Sequence, residues 1–252
     1  MEYIIVNEGN IDAEHICCAI TEKKGENCVG SKKAWLRDRF QDGLVFLKAN
    51  ARGKVFIEYL PAEAAWAPIT APGYFYIDCF WVSGQFKGHG HGRALLEQAI
   101  SDAKEKGKAG LCVLSSKKKQ PFLSDPKILK HMGFLVADTA PPQYELLYYP
   151  LGKAAPVPAF RPQVKDGTIK EQGLVLYHTN QCPFTDKYVP LGVAIAEEMG
   201  RTITVHHIQS KEDAQSAPCP FTTYSLYHNG AFVTSEIFSE KKWRQYLESN
   251  PD

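Results

Sequence analysis

The chain has 252 residues, 44% of them hydrophobic, with 29 Lys and Arg against 28 Asp and Glu. That length favours two domains over one, and the apolar share suits a globular protein with a real core. The near-balance of charge gives no bulk attraction to nucleic acid or membrane, and no apolar window approaches the roughly 20 residues of a spanning helix.

Met1 leads into the strand-like run YIIV without a basic segment, so no secretory leader is expected. The seven cysteines are odd in number and scattered. They read as reduced thiols of a cytoplasmic protein, with Cys17, Cys18, Cys28, Cys79 and Cys112 expected as small buried hydrophobes.

Strands and helices alternate through residues 1–150, an α/β (α+β) succession. The pattern predicts a strand at YIIV, a helix near Asp12–Ile20 and an amphipathic helix over 34–43. Two strands within 44–60 turn at Ala51-Arg52-Gly53, and a long aromatic, β-branched strand covers 73–82. Ala94, Leu95, Ala99, Ile100 and Ala103 recur at helical spacing, so a helix is expected over 91–107. A strand at 109–116, a short helix at 127–134 and a last strand at 143–149 complete this part.

The stretch PLGKAAPVPAFRPQVKDG holds four prolines and little periodicity, and reads as a semi-rigid linker over about 151–170. A smaller domain then spans 171–252. Its expected elements are a strand at 173–179, a helix at 187–200 and a strand at 202–208. A hairpin over 223–234 turns at Asn229-Gly230, and a closing helix covers 239–249. This order is a thioredoxin-type succession.

The most informative stretch is WVSGQFKGHGHGRALLEQAI (81–100), a strand running through alternating glycines into a helix. Glycine lets backbone approach a ligand closely, and first-turn amides of a helix lack internal partners, so the turn suits a pyrophosphate. The spacing is G-x-G-x-G and not the dinucleotide G-x-G-x-x-G, which argues against a nicotinamide cofactor. His89 and His91 have no carboxylate or third histidine beside them in sequence, so no metal site is expected there.

These residues resemble the GCN5-related N-acetyltransferases (GNAT), in which Q/R-x-x-G-x-G/A holds the pyrophosphate of acetyl-CoA. Gln85 to Gly90 matches the signature literally. A second register over Val82–Leu96 fits strand end and helix start together, and puts Lys87 in the Q/R place. The resemblance implies acetyl-CoA as co-substrate, held by Lys87, Gly88, His89, Gly90, His91, Gly92 and Arg93. It also implies a splay between strands 73–82 and 109–116, with the backbone of Phe80, Trp81 and Val82 bonding the pantetheine amides. The expected acceptor is an amine of a small molecule or peptide.

Where many family members carry a tyrosine that protonates the leaving thiolate, this chain has Leu129, which has no proton to give. Ser115 or Ser116 on the fifth strand, or Tyr144, Tyr148 and Tyr149 on the last, are candidate substitutes. Asp78 and Glu63 are candidate bases. Trp66 is a candidate floor for the acceptor pocket, and Lys117–Lys119 a candidate contact for the 3′-phosphate of CoA. An acyl-CoA-binding regulatory or thiol-redox module without turnover is the rival reading, and Leu129 is its support.

The tetrad CPFT occurs twice, as Cys182-Pro183-Phe184-Thr185 and Cys219-Pro220-Phe221-Thr222. Cys182 precedes a helix, whose N-terminus lowers a thiol pKa. Thr185 stands where a C-x-x-C pair would need its second cysteine. The thioredoxin-type order offers Pro220 or Pro218 for a cis-proline loop, with no cis bond as the alternative; if that placement holds, the two cysteine-led loops face one thiol site. The whole chain also resembles acetyltransferases with a YoaP-like C-terminal domain, through EYLPAEAAWAPI, SSKKKQPFLSD and FTTYSLYHNGAFVTSEIFSEKKW. A dithiol switch, soft-metal capture with His178, His206 or His207, recognition of a thiol substrate, and an inert domain used for packing or dimerisation all fit.

Overall fold

The computed structural model describes residues 1–16, 20 and 24–251. The helix expected near Asp12–Ile20 falls partly outside the described residues, and residues 8–13 form turns; Cys17 and Cys18 lie wholly outside them. The N-terminal part contains β1 (Tyr3–Val6), α1 (Cys28–Phe40), β2 (Val45–Ala49), β3 (Val55–Pro61), β4 (Ile69–Thr70) and β5 (Tyr74–Val82). It continues with α2 (His91–Glu105), β6 (Gly110–Ser116), α3 (Pro126–His131), β7 (Leu135–Ala140) and β8 (Tyr144–Pro150). Next come the short β9 (Ala159–Phe160) and then β10 (Leu174–His178), α4 (Pro183–Glu198), β11 (Ile203–His207) and α5 (Lys211–Ser216). The chain closes with β12 (Tyr224–His228), β13 (Ala231–Thr234) and α6 (Glu240–Ser249).

Seven strands form one mixed sheet in the order β1-β2-β3-β5-β6-β8-β7. Side chains alternate between its faces. Leu47, Ile57, Phe75 and Val113 meet Leu95, Leu96, Ala99 and Ala103 of α2 on one face. Phe46, Phe56, Tyr76 and Leu114 meet Trp35 and Leu36 of α1 on the other. Strand β7 escaped the sequence reading because LVADTA has no alternation, and Leu135 and Val136 remain exposed at the sheet edge.

Strands β5 and β6 are the parallel neighbours of this sheet, and they pair only from Tyr74–Ile77 against Gly110–Val113. Beyond Ile77 they part, as the splay expected from sequence requires. Opposite β3 the register jumps from Tyr59–Ile77 to Glu58–Cys79, so Asp78 is the extra residue of a β-bulge. A bulge bends its strand and re-aims side chains. The divergence and the bulge therefore coincide at one residue.

The segment expected as a linker is packed down. Its β9 pairs with β4, and Phe160 and Val164 are buried in the core. Apolar positions between prolines had a surface to cover, which composition by itself does not reveal.

In the second domain the sheet order is β11-β10-β12-β13, with β10 parallel to β11 and antiparallel to β12. Helix α4 starts at Pro183, earlier than residue 187, with Cys182 as its N-cap. Proline suits the first helical position because the missing donor has no partner there anyway. Short α5 was also missed; Ser210 caps it, accepting from the Asp213 amide at 3.0 Å. Among the described residues the cis peptide is Pro141–Pro142, joining β7 to β8, and not a bond before Pro218 or Pro220.

One hydrophobic cluster runs through both domains, from Trp35, Trp66 and Tyr144 to Val175, Cys219 and Tyr227. Thr222 Oγ1 donates to the Trp66 carbonyl, and Gln215 Nε2 donates to the carbonyls of Glu63 and Ala65, each at 3.1 Å. The seven-stranded and four-stranded sheets share a core. No helix of the described residues is long and apolar enough to cross a membrane.

Candidate active site

The glycine turn forms an open cradle. Gly88 (φ +81°) and Gly90 (φ +79°) take left-handed backbone, and a Cβ added at either would meet no atom within 4 Å. The first helical bond runs from the Ala94 amide to the Gly90 carbonyl at 3.0 Å, so the amides before Ala94 in the first turn have no helical acceptor. Gly92 serves differently: a Cβ there would lie 2.7 Å from Ile128 Cδ1 and 3.3 Å from Phe80 Cζ. Its absence lets α2 seat against β5 and α3.

This cradle opens on a cleft of about 450 Å³ lined by Phe80, Trp81, Val82, Lys87, His91 and Arg93, with Lys119 at its rim. Tyr3 Oη and His91 Nδ1 are 3.1 Å apart, while exposed Arg93 pairs with Glu97 at 2.8 Å. His89 and Lys87 are exposed. Phe80–Val82 pair with Val55–Ile57 on one side, and the other edge of β5 has no strand against it beyond Ile77. A fit for an extended, pyrophosphate-bearing ligand is therefore built into backbone groups, with no side chain filling it.

A second cavity of about 290 Å³ lies between the two domains. Glu58, Asp78 and Trp81 line it from the first domain, and Cys182, Phe184 and Phe221 from the second. A small separate pocket of about 20 Å³ shares Phe80 and Trp81 with the lining of the cleft, and Asp78 and Phe122 with that of the inter-domain cavity. Asp78 thus stands where the two spaces approach each other.

Burial pushes the Asp78 carboxyl up to about 7, and the negative charge of Glu58 adds to the rise, against the pull of Lys32 and Arg39. Glu58 is also raised by burial, against its ion pair with Lys32 at 2.7 Å, in which both side chains are 1% exposed. Lys32 takes one oxygen, Oε2; Glu58 Oε1 is buried with no hydrogen-bond partner. Neither Lys32 nor Glu58 was singled out in sequence. The acid interrupting VFIEYL, a strand otherwise apolar, was the signal available for Glu58.

The second domain grips the bulge directly. Gln181 Nε2 donates to the Asp78 carbonyl at 2.9 Å, and Thr223 Oγ1 donates to Gln181 Oε1 at 2.7 Å. Buried Thr185 donates to the carbonyls of Thr179 and Cys182, at 2.8 and 2.7 Å, which closes the turn ahead of α4.

Several expected site residues are placed elsewhere. Glu63 is exposed in the turn after β3 and accepts from the Gly73 amide at 2.6 Å, outside both cavities. Ser115 and Ser116 are fully buried, and each hydroxyl donates to a carbonyl of the 117–125 loop, of Ser124 and Lys118, at 2.7 Å. Leu129 is fully buried in the core. Trp66 packs on Trp35 with ring centroids 4.4 Å apart, under Arg39, and it is Trp81 that walls the cavity.

The twin tetrads converge, but not through two thiols. Phe184 and Phe221 line the same cavity and Cys182 joins them, while Cys219 is fully buried among Tyr144 and Tyr227. Burial pushes its thiol up to about 12, against a hydrogen bond with Ser225. Cys79 is the other cysteine at the cavity wall. No described cluster of three or more His, Cys, Asp or Glu could hold a metal ion.

Residues 11–121 match the family model described as the acetyltransferase (GNAT) family, and residues 203–244 match the one described as YoaP-like. The chain is 43% identical over 247 residues, 98% of each protein, to YoaP of Bacillus subtilis (strain 168), named as an uncharacterized N-acetyltransferase. The chain belongs to the GNAT N-acetyltransferase family. Among solved structures, this acetyltransferase is similar to the GNAT protein YhbS of Escherichia coli in complex with CoA, at 12% identity and a TM-score of 0.42. That likeness covers 64% of this chain and 89% of the other. It is also similar to yncA of Salmonella typhimurium with its cofactor acetyl-CoA, at 14% identity and a TM-score of 0.42, covering 62% and 96%.

Proposed function

We propose that this N-acetyltransferase moves an acetyl group from acetyl-CoA to the amine of a small molecule, with Asp78 as the base. The observation that carries the reading is the position of Asp78: a carboxyl raised to about 7, on the bulge between the glycine-cradle cleft and the inter-domain cavity. A base poised near neutral pH can take the ammonium proton and still be charged when needed. The freed nitrogen pair attacks the thioester carbonyl, the C–S bond breaks and the coenzyme leaves as a thiolate. The backbone edge of β5 supplies donors near the developing oxyanion. Ser115 and Ser116 are committed to loop carbonyls and Leu129 carries no proton; the second nitrogen proton, released as the tetrahedral adduct collapses, passes through water in the open cleft to the thiolate.

The second domain reads as thioredoxin-like, supported by its strand order and by Cys182 capping α4. Its use here is to wall the acceptor cavity. A dithiol switch between Cys182 and Cys219 lacks support, because one thiol lines the cavity and the other is in the core. Thiols in the reduced form fit a cytoplasmic setting.

The test is calorimetric titration of the full chain with CoA, followed by chromatography of CoA released from acetyl-CoA over an amine panel. Micromolar binding with amine-dependent release is expected. Binding without release on any amine would favour a regulatory module; no binding would remove the reading.

A further inference from the structure

The inter-domain cavity has a definite chemistry. Its lining is acidic on one side: Asp78 and Glu58 both contribute to it, Glu58 acts electrostatically on Asp78, and Glu58 Oε1 is buried with no hydrogen-bond partner. Its walls are Trp81, Phe122, Phe184 and Phe221, two from each domain. Phe122 holds a left-handed backbone (φ +64°), a conformation costly for a bulky residue, and keeps its ring at the cavity. The other charged group on the lining is Lys54, and Lys32 pairs with Glu58 from α1, which leaves Asp78 as the carboxyl without a cationic partner of its own among the lining residues.

We infer that the acceptor is a primary amine on a flat aromatic body, its nitrogen on the Glu58–Asp78 side and its ring between Phe184 and Phe221. This rests on the acetyl-transfer reading above and narrows it to a substrate class. A buried carboxylate oxygen without a donor is costly alone and is satisfied by an ammonium N–H. Aromatic walls reward a flat apolar body, and a cation close to a ring face gains further. At about 290 Å³ the cavity belongs to the small end of small-molecule sites. The lining offers few groups to pair the amides of a peptide or the extra charges of a polyamine. Phe184 and Phe221 occupy the same place in the two CPFT tetrads, so the repeated sequence supplies a pair of rings.

The full chain with acetyl-CoA is assayed on 2-phenylethylamine, tryptamine, spermidine and triglycine by chromatography of the acetylated product. Binding of 2-phenylethylamine to the CoA-loaded chain is measured by calorimetry. The arylethylamines are expected to exceed spermidine and triglycine at least tenfold in kcat/KM. Phe184→Ala should raise the KM for 2-phenylethylamine tenfold or more with kcat within threefold, and Phe184→Leu should recover part of the loss. Should Phe184→Ala fail to fold, Phe221→Ala, on a different element, gives the same readout. Faster turnover of spermidine or triglycine overturns the substrate class while leaving acetyl transfer standing. So does an absence of both heat and product with 2-phenylethylamine when CoA binds, or a KM that Phe184→Ala and Phe221→Ala leave unchanged.

Discussion

Asp78 shows how one residue's surroundings set its chemistry. An aspartate in water ionises near 3.8; here burial and the neighbouring Glu58 charge move it to about 7. With Asp78 proposed as the base, the ionised form is the active one. kcat/KM should therefore fall about tenfold per pH unit below 7 and level off above it. Asp78→Asn should abolish that limb and lower kcat/KM by roughly 10²–10⁴. Stability runs the other way. The fold favours the protonated carboxyl, so this contribution is complete below about 3.8 and is lost as pH rises through 7. Asp78→Asn should thus stabilise the fold at pH 8 by on the order of 2 kcal/mol, after discounting for solvent access, and raise the melting temperature accordingly. A flat pH profile in the wild type, or a less stable Asp78→Asn at pH 8, would count against this account.

At the scale of the element, the glycine turn works by backbone geometry. Gly88 and Gly90 need left-handed angles, and nothing in the protein occupies the space their missing side chains leave. Gly90→Ala should cost about 1–2 kcal/mol through its angles. It should also weaken CoA by tenfold or more in calorimetry, because the added methyl enters the space a phosphate would use. Gly92→Val should act through packing: its side chain would strike Ile128 and Phe80, lowering the melting temperature as well as affinity. Unchanged CoA affinity in Gly90→Ala would mean that the anion sits elsewhere. α1 is the less obvious functional element. It carries Lys32 inward to neutralise Glu58, so a helix remote in sequence from the turn sets the charge on the acidic side of the cavity.

Across the whole molecule, the shared cluster and the Thr223–Gln181–Asp78 chain tie the second domain to the site. Unfolding should therefore be one cooperative transition, with far-UV circular dichroism and loss of CoA binding coinciding. Trp243 tests the coupling at a distance. It is fully buried and lies over Gly192, far in sequence from the glycine turn. Trp243→Ala should cost about 3–5 kcal/mol and lower that single transition. Two separated transitions would show that the domains fold apart.

Periodicity and glycine placement determined much of the fold. Alternating apolar runs, the Asn229-Gly230 turn and the strand-to-helix passage at 81–93 are local patterns, and local backbone preference and side-chain period suffice to express them. The cradle residues could be named from the sequence for that reason. The cavity lined by Glu58, Asp78, Phe184 and Phe221 could not. Glu58 and Lys32 become neighbours only when α1 lies across the sheet, and Phe184 meets Phe221 only when two domains share a core. The bulge that aims Asp78 is a register slip between strands, which no single strand records. Cys182 caps a helix at the cavity and Cys219 is buried ahead of a strand, although the four-residue motif around each is the same. Burial and long-range pairing are properties of the packed molecule, because desolvation and charge act through space and not along the chain.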